Sequence, residues 1–129
     1  MFREAIERKD MGAVDEMLAD DVVFISPVAF APYAGKAITS AILHTVVEVL
    51  EDFSYVRQLR DGHHEAYVFT AKVNGLEITG CDFLTLDEQG RISEFMVMTR
   101  PLKASQALAA AMGERFPQIT AAAEARTAG

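Results

Sequence analysis

The chain has 129 residues, 50% of them apolar and 24% charged, with a net charge of −7 and a single cysteine. One domain that buries about two-thirds of its unfolded surface is expected at this length, which excludes a disordered chain or a disulfide-stapled miniprotein. Twelve basic against nineteen acidic residues, with no basic cluster, argue against nucleic acid as partner. No apolar run nears the roughly 18 residues needed to span a bilayer and no signal-peptide pattern opens the chain, so a cytoplasmic protein away from the membrane is expected.

Phe2, Ala5 and Ile6 share one helical face and Val14, Met17 and Leu18 another, with a break at Asp10-Met11-Gly12 between them. Asp20-Asp21 closes the helical pattern, and Val22-Val23-Phe24-Ile25 is a short strand ended by Ser26-Pro27. Val28 to Gly35 reads as a loop. Lys36 to about Leu50 is the longest helical candidate, with Ile38, Ile42, Val46, Val49 and Leu50 on one arc. Ser40, His44 and Glu48 fall on the opposite side, which is expected to be solvated. Beyond Asp52 the period changes to two. Phe53–Arg60, Glu65–Val73, Leu76–Leu86 and Arg91–Arg100 read as antiparallel strands joined at Asp61-Gly62, Asn74-Gly75 and Asp87-Glu88-Gln89-Gly90. The first two junctions are two-residue hairpin turns. Pro101 ends the last strand, Leu102 to Phe116 is an alanine-rich helix, and residues 117–129 read as a mobile tail. The expected domain spans 1–116 and is α+β, with helices packed on one face of a curved sheet.

Neither a phosphate-binding glycine loop nor a nucleophile elbow is present. His63, His64 and Glu65 are strand neighbours that point to alternate faces, so no metal site is expected, and nothing implies a cofactor. Cys81 lies mid-strand without a base near it in sequence and reads as a small buried residue. Asp82 stands apart, because it interrupts the most apolar strand, Ile78 to Leu86. A mid-strand acid among apolar neighbours costs several kcal/mol unless it is paired or neutral. Three readings stay open from the residues: an ion pair with Lys72 or Arg100, an exposed place on the convex face, or a carboxyl facing an apolar pocket with its pKa raised by desolvation.

Three stretches carry a resemblance. Lys9 to Phe24 looks like a helix-to-first-strand passage, Pro32-Tyr33-Ala34-Gly35-Lys36 like a loop into a third helix, and Asp82 to Ile92 like a hairpin joining two last strands. In this order and spacing they resemble the nuclear transport factor two-like superfamily, in its SnoaL-like and ketosteroid-isomerase-like branch. The resemblance implies a cone-shaped fold in which a curved, mostly antiparallel sheet wraps N-terminal helices around an apolar cavity, with a C-terminal helix added. Members include isomerases, cyclases, epoxide hydrolases, dehydratases and non-catalytic binders, so the fold places a site without naming its chemistry. Ser26 stands where the isomerases carry their carboxylate base before a proline, and Phe2 stands where they carry a tyrosine donor. Their neutral aspartic acid is retained as Asp82.

The resemblance also assigns strand faces. With Asp82 toward the cavity, alternation brings Ile78, Gly80 and Leu84, then Tyr67, Phe69 and Ala71, then Phe95, Val97 and Thr99 to the same side. Pairing across Asp61-Gly62 adds Val56 opposite Tyr67 and Gln58 opposite Glu65. The expected binding residues are Tyr67, Phe69, Phe95, Thr99, Val97, Ser26, Tyr33 and Gln58, with Asp82 as general acid or donor. A small hydrophobic or aromatic molecule with one polar handle suits such a chamber. It would be held for cofactor-independent isomerisation, cyclisation, dehydration or hydrolysis, or held without being transformed. Phe83, Met96 and Met98 on the convex face would anchor a homodimer.

Overall fold

Asp10 accepts a hydrogen bond from the Ala13 N–H at 3.2 Å, and this N-cap starts helix α2 (Met11–Met17) after α1 (Phe2–Glu7). The structure, a computed structural model, describes residues 1–128. Strand β1 (Leu18–Ile25) begins four residues before the β-branched run. Leu18 pairs with Ile92 in a parallel ladder, and this pairing overrides the helical periodicity that the sequence shows at Leu18. A two-residue strand, β2 (Tyr33–Ala34), lies in the expected loop and pairs with β1 through Phe24 and Tyr33.

Helix α3 (Lys36–Val49) buries Thr39, Ser40, Ala41, Ile42 and Leu43 in succession, more than one face. It is packed between β1 and the last helix, so its far side is only partly solvated: Glu48 is exposed as expected, but His44 is half-buried and Ser40 is buried. Ser40 Oγ donates to Asp15 Oδ1 at 2.6 Å, and His44 Nε2 lies 3.0 Å from Asp15 Oδ2. His44 Nδ1 in turn lies 3.5 Å from an Arg126 guanidinium nitrogen. His44 is thus a tie between three helices.

The meander comprises β3 (Glu51–Asp61), β4 (His64–Val73), β5 (Leu76–Leu86) and β6 (Ile92–Arg100). The sheet runs β2-β1-β6-β5-β4-β3, antiparallel except where β1 meets β6. Asn74 and Gly75 take φ of 49° and 79° and make the expected two-residue turn between Val73 and Leu76. The first hairpin differs. Asp61 pairs with His64, so Gly62 and His63 form the turn and Gln58, not Val56, lies opposite Tyr67. The ladder then carries an extra residue at Val56, between the pairs Tyr55–Phe69 and Arg57–Val68. That bulge turns Tyr55 inward and leaves Val56 58% exposed.

Helix α4 (Leu102–Ala128) continues twelve residues past Phe116, through Pro117. Proline removes the N–H that would reach the Gly113 carbonyl. Packing along α3 offsets that loss: Ile119 is 1% exposed and Ala123 is buried, so these residues belong to the core and not to a loose tail. The core gathers Phe2, Phe24, Tyr55, Tyr67, Phe69 and Phe95 on the concave side of the sheet, beneath α1, α3 and α4. No helix among the described residues is long and apolar enough to cross a membrane.

Candidate functional site

The registers of β4, β5 and β6 bring one set of side chains to the concave face. Asp82 lies opposite Tyr67 on one side and Val97 on the other, Gly80 lies between Phe69 and Thr99, and Leu84 opposite Phe95. Gly80 has a steric reason to be glycine. A Cβ there would strike the Phe69 ring and sit 2.9 Å from the Met98 carbonyl oxygen. Its absence lets Phe69 lie across β5, stacked at 4.9 Å on Phe53.

Between this face and helices α3 and α4 lies a cavity of about 270 Å³. Its walls are apolar: Phe24, Phe69 and Phe95 from the sheet, Ile42, Leu43 and Val46 from α3, Leu108, Met112 and Phe116 from α4. Asp82 is the one carboxyl that borders it, and no His, Lys, Arg or Cys joins it there among the described residues. Asp82 is 6% exposed. Tyr55 OH donates to its Oδ2 at 2.6 Å, while Oδ1 carries no hydrogen bond among the described residues.

Lys72 reaches Asp52 instead, and Arg100 is exposed, so neither cation proposed from the sequence neutralises Asp82. Desolvation pushes its pKa from 3.8 up to about 7, with the Tyr55 hydrogen bond opposing part of the rise. Burial, and the carboxyl beside it, drive the Tyr55 phenol well above its ordinary value. Near neutral pH a substantial share of the molecules therefore carries this carboxyl protonated. Its free oxygen can donate to a carbonyl, hydroxyl or epoxide oxygen placed in the cavity.

Phe69, Phe95, Val97, Thr99, Ser26 and Tyr33 border the same cavity as Asp82. Tyr67 and Gln58 do not. Tyr67 is packed 5.2 Å from Phe2 and 5.5 Å from Tyr55, centroid to centroid, and its OH donates to Glu65 Oε1 at 2.6 Å. Gln58 is exposed on β3 beyond the bulge. Ser26 is committed elsewhere. Its Oγ accepts from the N–H groups of Val28 and Ala29 at 3.1 and 3.2 Å and so shapes the loop after β1. Thr99 Oγ1 lies 2.6 Å from Ser105 Oγ, tying β6 to α4. The Tyr33 ring stands 5.6 Å from Phe116.

Sequence reasoning missed Tyr55, and it named no residue of α4 among the binding residues although a last helix capping the open end of the cone fits the resemblance. The signal for Tyr55 was the alternation Phe53, Tyr55, which puts two aromatic residues on one face and conflicts with Val56 facing inward. Among the described residues no cluster of three or more His, Cys, Asp or Glu is placed to hold a metal ion.

The family profile described as a SnoaL-like domain matches residues 1–95. Among solved structures, a steroid delta-isomerase from Pseudomonas aeruginosa is 42% identical, with 94% of this chain and 90% of that one covered at a TM-score of 0.87. An uncharacterised protein with a cystatin-like fold from Silicibacter pomeroyi DSS-3 is 32% identical, with the same 94% and 90% coverage and a TM-score of 0.84. A nuclear transport factor two-like protein of unknown function from Cytophaga hutchinsonii ATCC 33406 shares the fold at 19% identity, 78% and 84% coverage and a TM-score of 0.60. No curated protein sequence matches the chain. The profile over three-quarters of the length and the two structures above 30% identity agree with the cone of helices and curved sheet: the chain belongs to the SnoaL-like branch of the nuclear transport factor two-like superfamily.

Proposed function

We propose that this protein binds a small hydrophobic molecule in the cavity through an oxygen that accepts a hydrogen bond from Asp82, and that any reaction it promotes is acid-assisted. The observation that carries this reading is a buried carboxyl with no cation beside it among the described residues, on the wall of a mostly apolar chamber. A protonated carboxyl polarises a carbonyl, protonates a leaving hydroxyl or opens an epoxide, and such help contributes typically 10²–10⁴-fold. Proton abstraction by Ser26 has less support, since this hydroxyl at the base position is engaged with two backbone N–H groups. The 42% identical relative makes fused-ring ketones the first compounds to try.

Native mass spectrometry of protein purified from cells, followed by thermal shift with fused-ring ketones, tests binding. Asp82→Asn should retain binding to within a few-fold and lose turnover at least a hundredfold. Turnover near that of the unsubstituted protein would refute the role of Asp82. A ligand that raises the melting temperature without being converted would favour the second reading, a non-catalytic binder. That reading is supported by Phe2 and Ser26 at the positions of the isomerase tyrosine and base.

The convex face supports a homodimer. Across five strands the registers align Leu59, Ala66, Phe83, Met96 and Ile25, and beside them Val68, Cys81 and Met98. One border of this band carries Asp61 and Glu94, the other Arg57 and Arg100. A twofold axis along the rows lays the acidic border of one copy on the basic border of the other.

A further inference from the structure

Phe30 is the most exposed large apolar side chain of the protein, at 107% of its reference area, and Val28 two residues before it is 41% exposed. Both sit in the segment between Pro27 and Pro32. Its two ends are held. Ser26 Oγ accepts from the Val28 and Ala29 N–H groups, and at the far end Tyr33 pairs with Phe24 while the Gly35 N–H reaches the Val22 carbonyl at 2.7 Å. Between these anchors the backbone of Phe30 and Ala31 makes no hydrogen bond among the described residues, so the tip can move at little cost.

The tip lies where the cavity opens. Val28 and Ala29 line the chamber and still meet solvent, as do Met112, Gly113 and Phe116 of α4 opposite, which sets the mouth between this loop and α4. Phe30 follows Ala29 directly, with its Cα about 3.8 Å away. An exposed phenyl ring at the entrance of an apolar chamber gains area burial, and an aromatic contact as well, once a ring-bearing molecule fills the chamber.

On the footing of the ligand-binding role assigned to this cavity above, we propose that Phe30 is its cap: the loop swings inward on binding and lays the ring on the outer end of a flat, ring-bearing hydrophobic ligand whose oxygen is held at Asp82. The ligand class is thereby narrowed to molecules that are oxygenated at the buried end and apolar and planar at the mouth. Simple alkyl chains offer the cap no ring to stack on.

The chain contains no tryptophan, so Phe30→Trp introduces a lone tryptophan, excited selectively over the three tyrosines, at the tip. With androst-4-en-3-one, a four-ring ketone with no second oxygen, and 1-tetralone, a two-ring one, as probes, equilibrium dialysis gives affinity and the emission of Phe30→Trp gives the environment of the tip. The expected result is emission moving to shorter wavelength as ligand saturates, with Phe30→Ala binding about tenfold more weakly than the unsubstituted protein. The ligand-free melting temperature of Phe30→Ala should be unchanged, since the side chain is wholly in solvent. Binding with unshifted emission and unchanged Phe30→Ala affinity overturns the cap and leaves the cavity's role standing. Failure of both ketones to bind the unsubstituted protein overturns that role and the cap with it.

Discussion

Replacing Asp82 by asparagine should make the protein more stable at alkaline pH while leaving it almost unchanged in acid. Asparagine keeps the size of the side chain and can still accept from Tyr55, so it imitates the protonated carboxyl at every pH. In the unfolded chain Asp82 titrates near 3.8, and in the folded protein near about 7. A group whose folded pKa is raised contributes its stability fully below the unfolded pKa and loses it as pH climbs through the folded one. The loss therefore begins near pH 4 and is complete above about pH 7. A shift of roughly three units at 1.36 kcal/mol each gives about 4 kcal/mol. Urea unfolding of both proteins from pH 4 to pH 9 reads the difference directly, since every other titrating group is common to the two. The variant should match the unsubstituted protein near pH 4, lead by roughly half the full amount midway, and level off at about 4 kcal/mol above pH 7. A difference that stays flat across the range would refute both the burial of the charge and the protonation state on which the proposed chemistry depends.

Tyr55→Phe removes the hydrogen bond that the phenol gives the Asp82 carboxyl, so the Asp82 pKa should rise further, as read from its carboxyl carbon chemical shift, with a cost of about 1–3 kcal/mol at pH 8. Ile119→Ala should cost about 2–5 kcal/mol in urea unfolding, because a fully buried side chain leaves a cavity; a cost below about 0.5 kcal/mol would mean that the end of α4 is not packed. Met98→Glu, on a side chain 54% exposed on the convex face, should turn a dimer into a monomer in sedimentation velocity without lowering the melting temperature of the monomer.

The parts of the fold that were legible in the sequence are those with local determinants. Asn74-Gly75 dictated its own turn, since both residues accept positive φ, and once the resemblance set Asp82 toward the cavity the inward faces of β4, β5 and β6 followed by alternation. What local pattern could not give was the consequence of pairing at a distance. Asp61-Gly62 offered an equally good turn sequence, yet the chain turns one residue later, and the bulge at Val56 then exchanges the two faces of β3. That exchange decides the site, because it substitutes Tyr55 for Val56 as the neighbour of Asp82. Helix α4 was illegible beyond Phe116 for a different reason. Its apolar residues there are mostly alanines, whose weak stripe counts only when another helix lies alongside.

The same desolvation that weakens the fold above pH 7 makes Asp82 a usable donor. A carboxyl left at 3.8 would be protonated in fewer than about one molecule in a thousand at pH 7, whereas one near about 7 is protonated in half of them, a gain of roughly a thousandfold in donor population. Burial alone would overshoot, because a carboxyl pushed still higher gives up its proton more reluctantly. The Tyr55 phenol acts against that excess by stabilising the ionised form through its bond to Oδ2, which brings the carboxyl back toward neutrality. Among the described residues no second carboxyl and no His, Lys or Cys borders the cavity, and the Ser26 hydroxyl is bound into a turn. On the proposed reading, the balance of burial and one phenol suits Asp82 to giving a proton or a hydrogen bond to a bound oxygen.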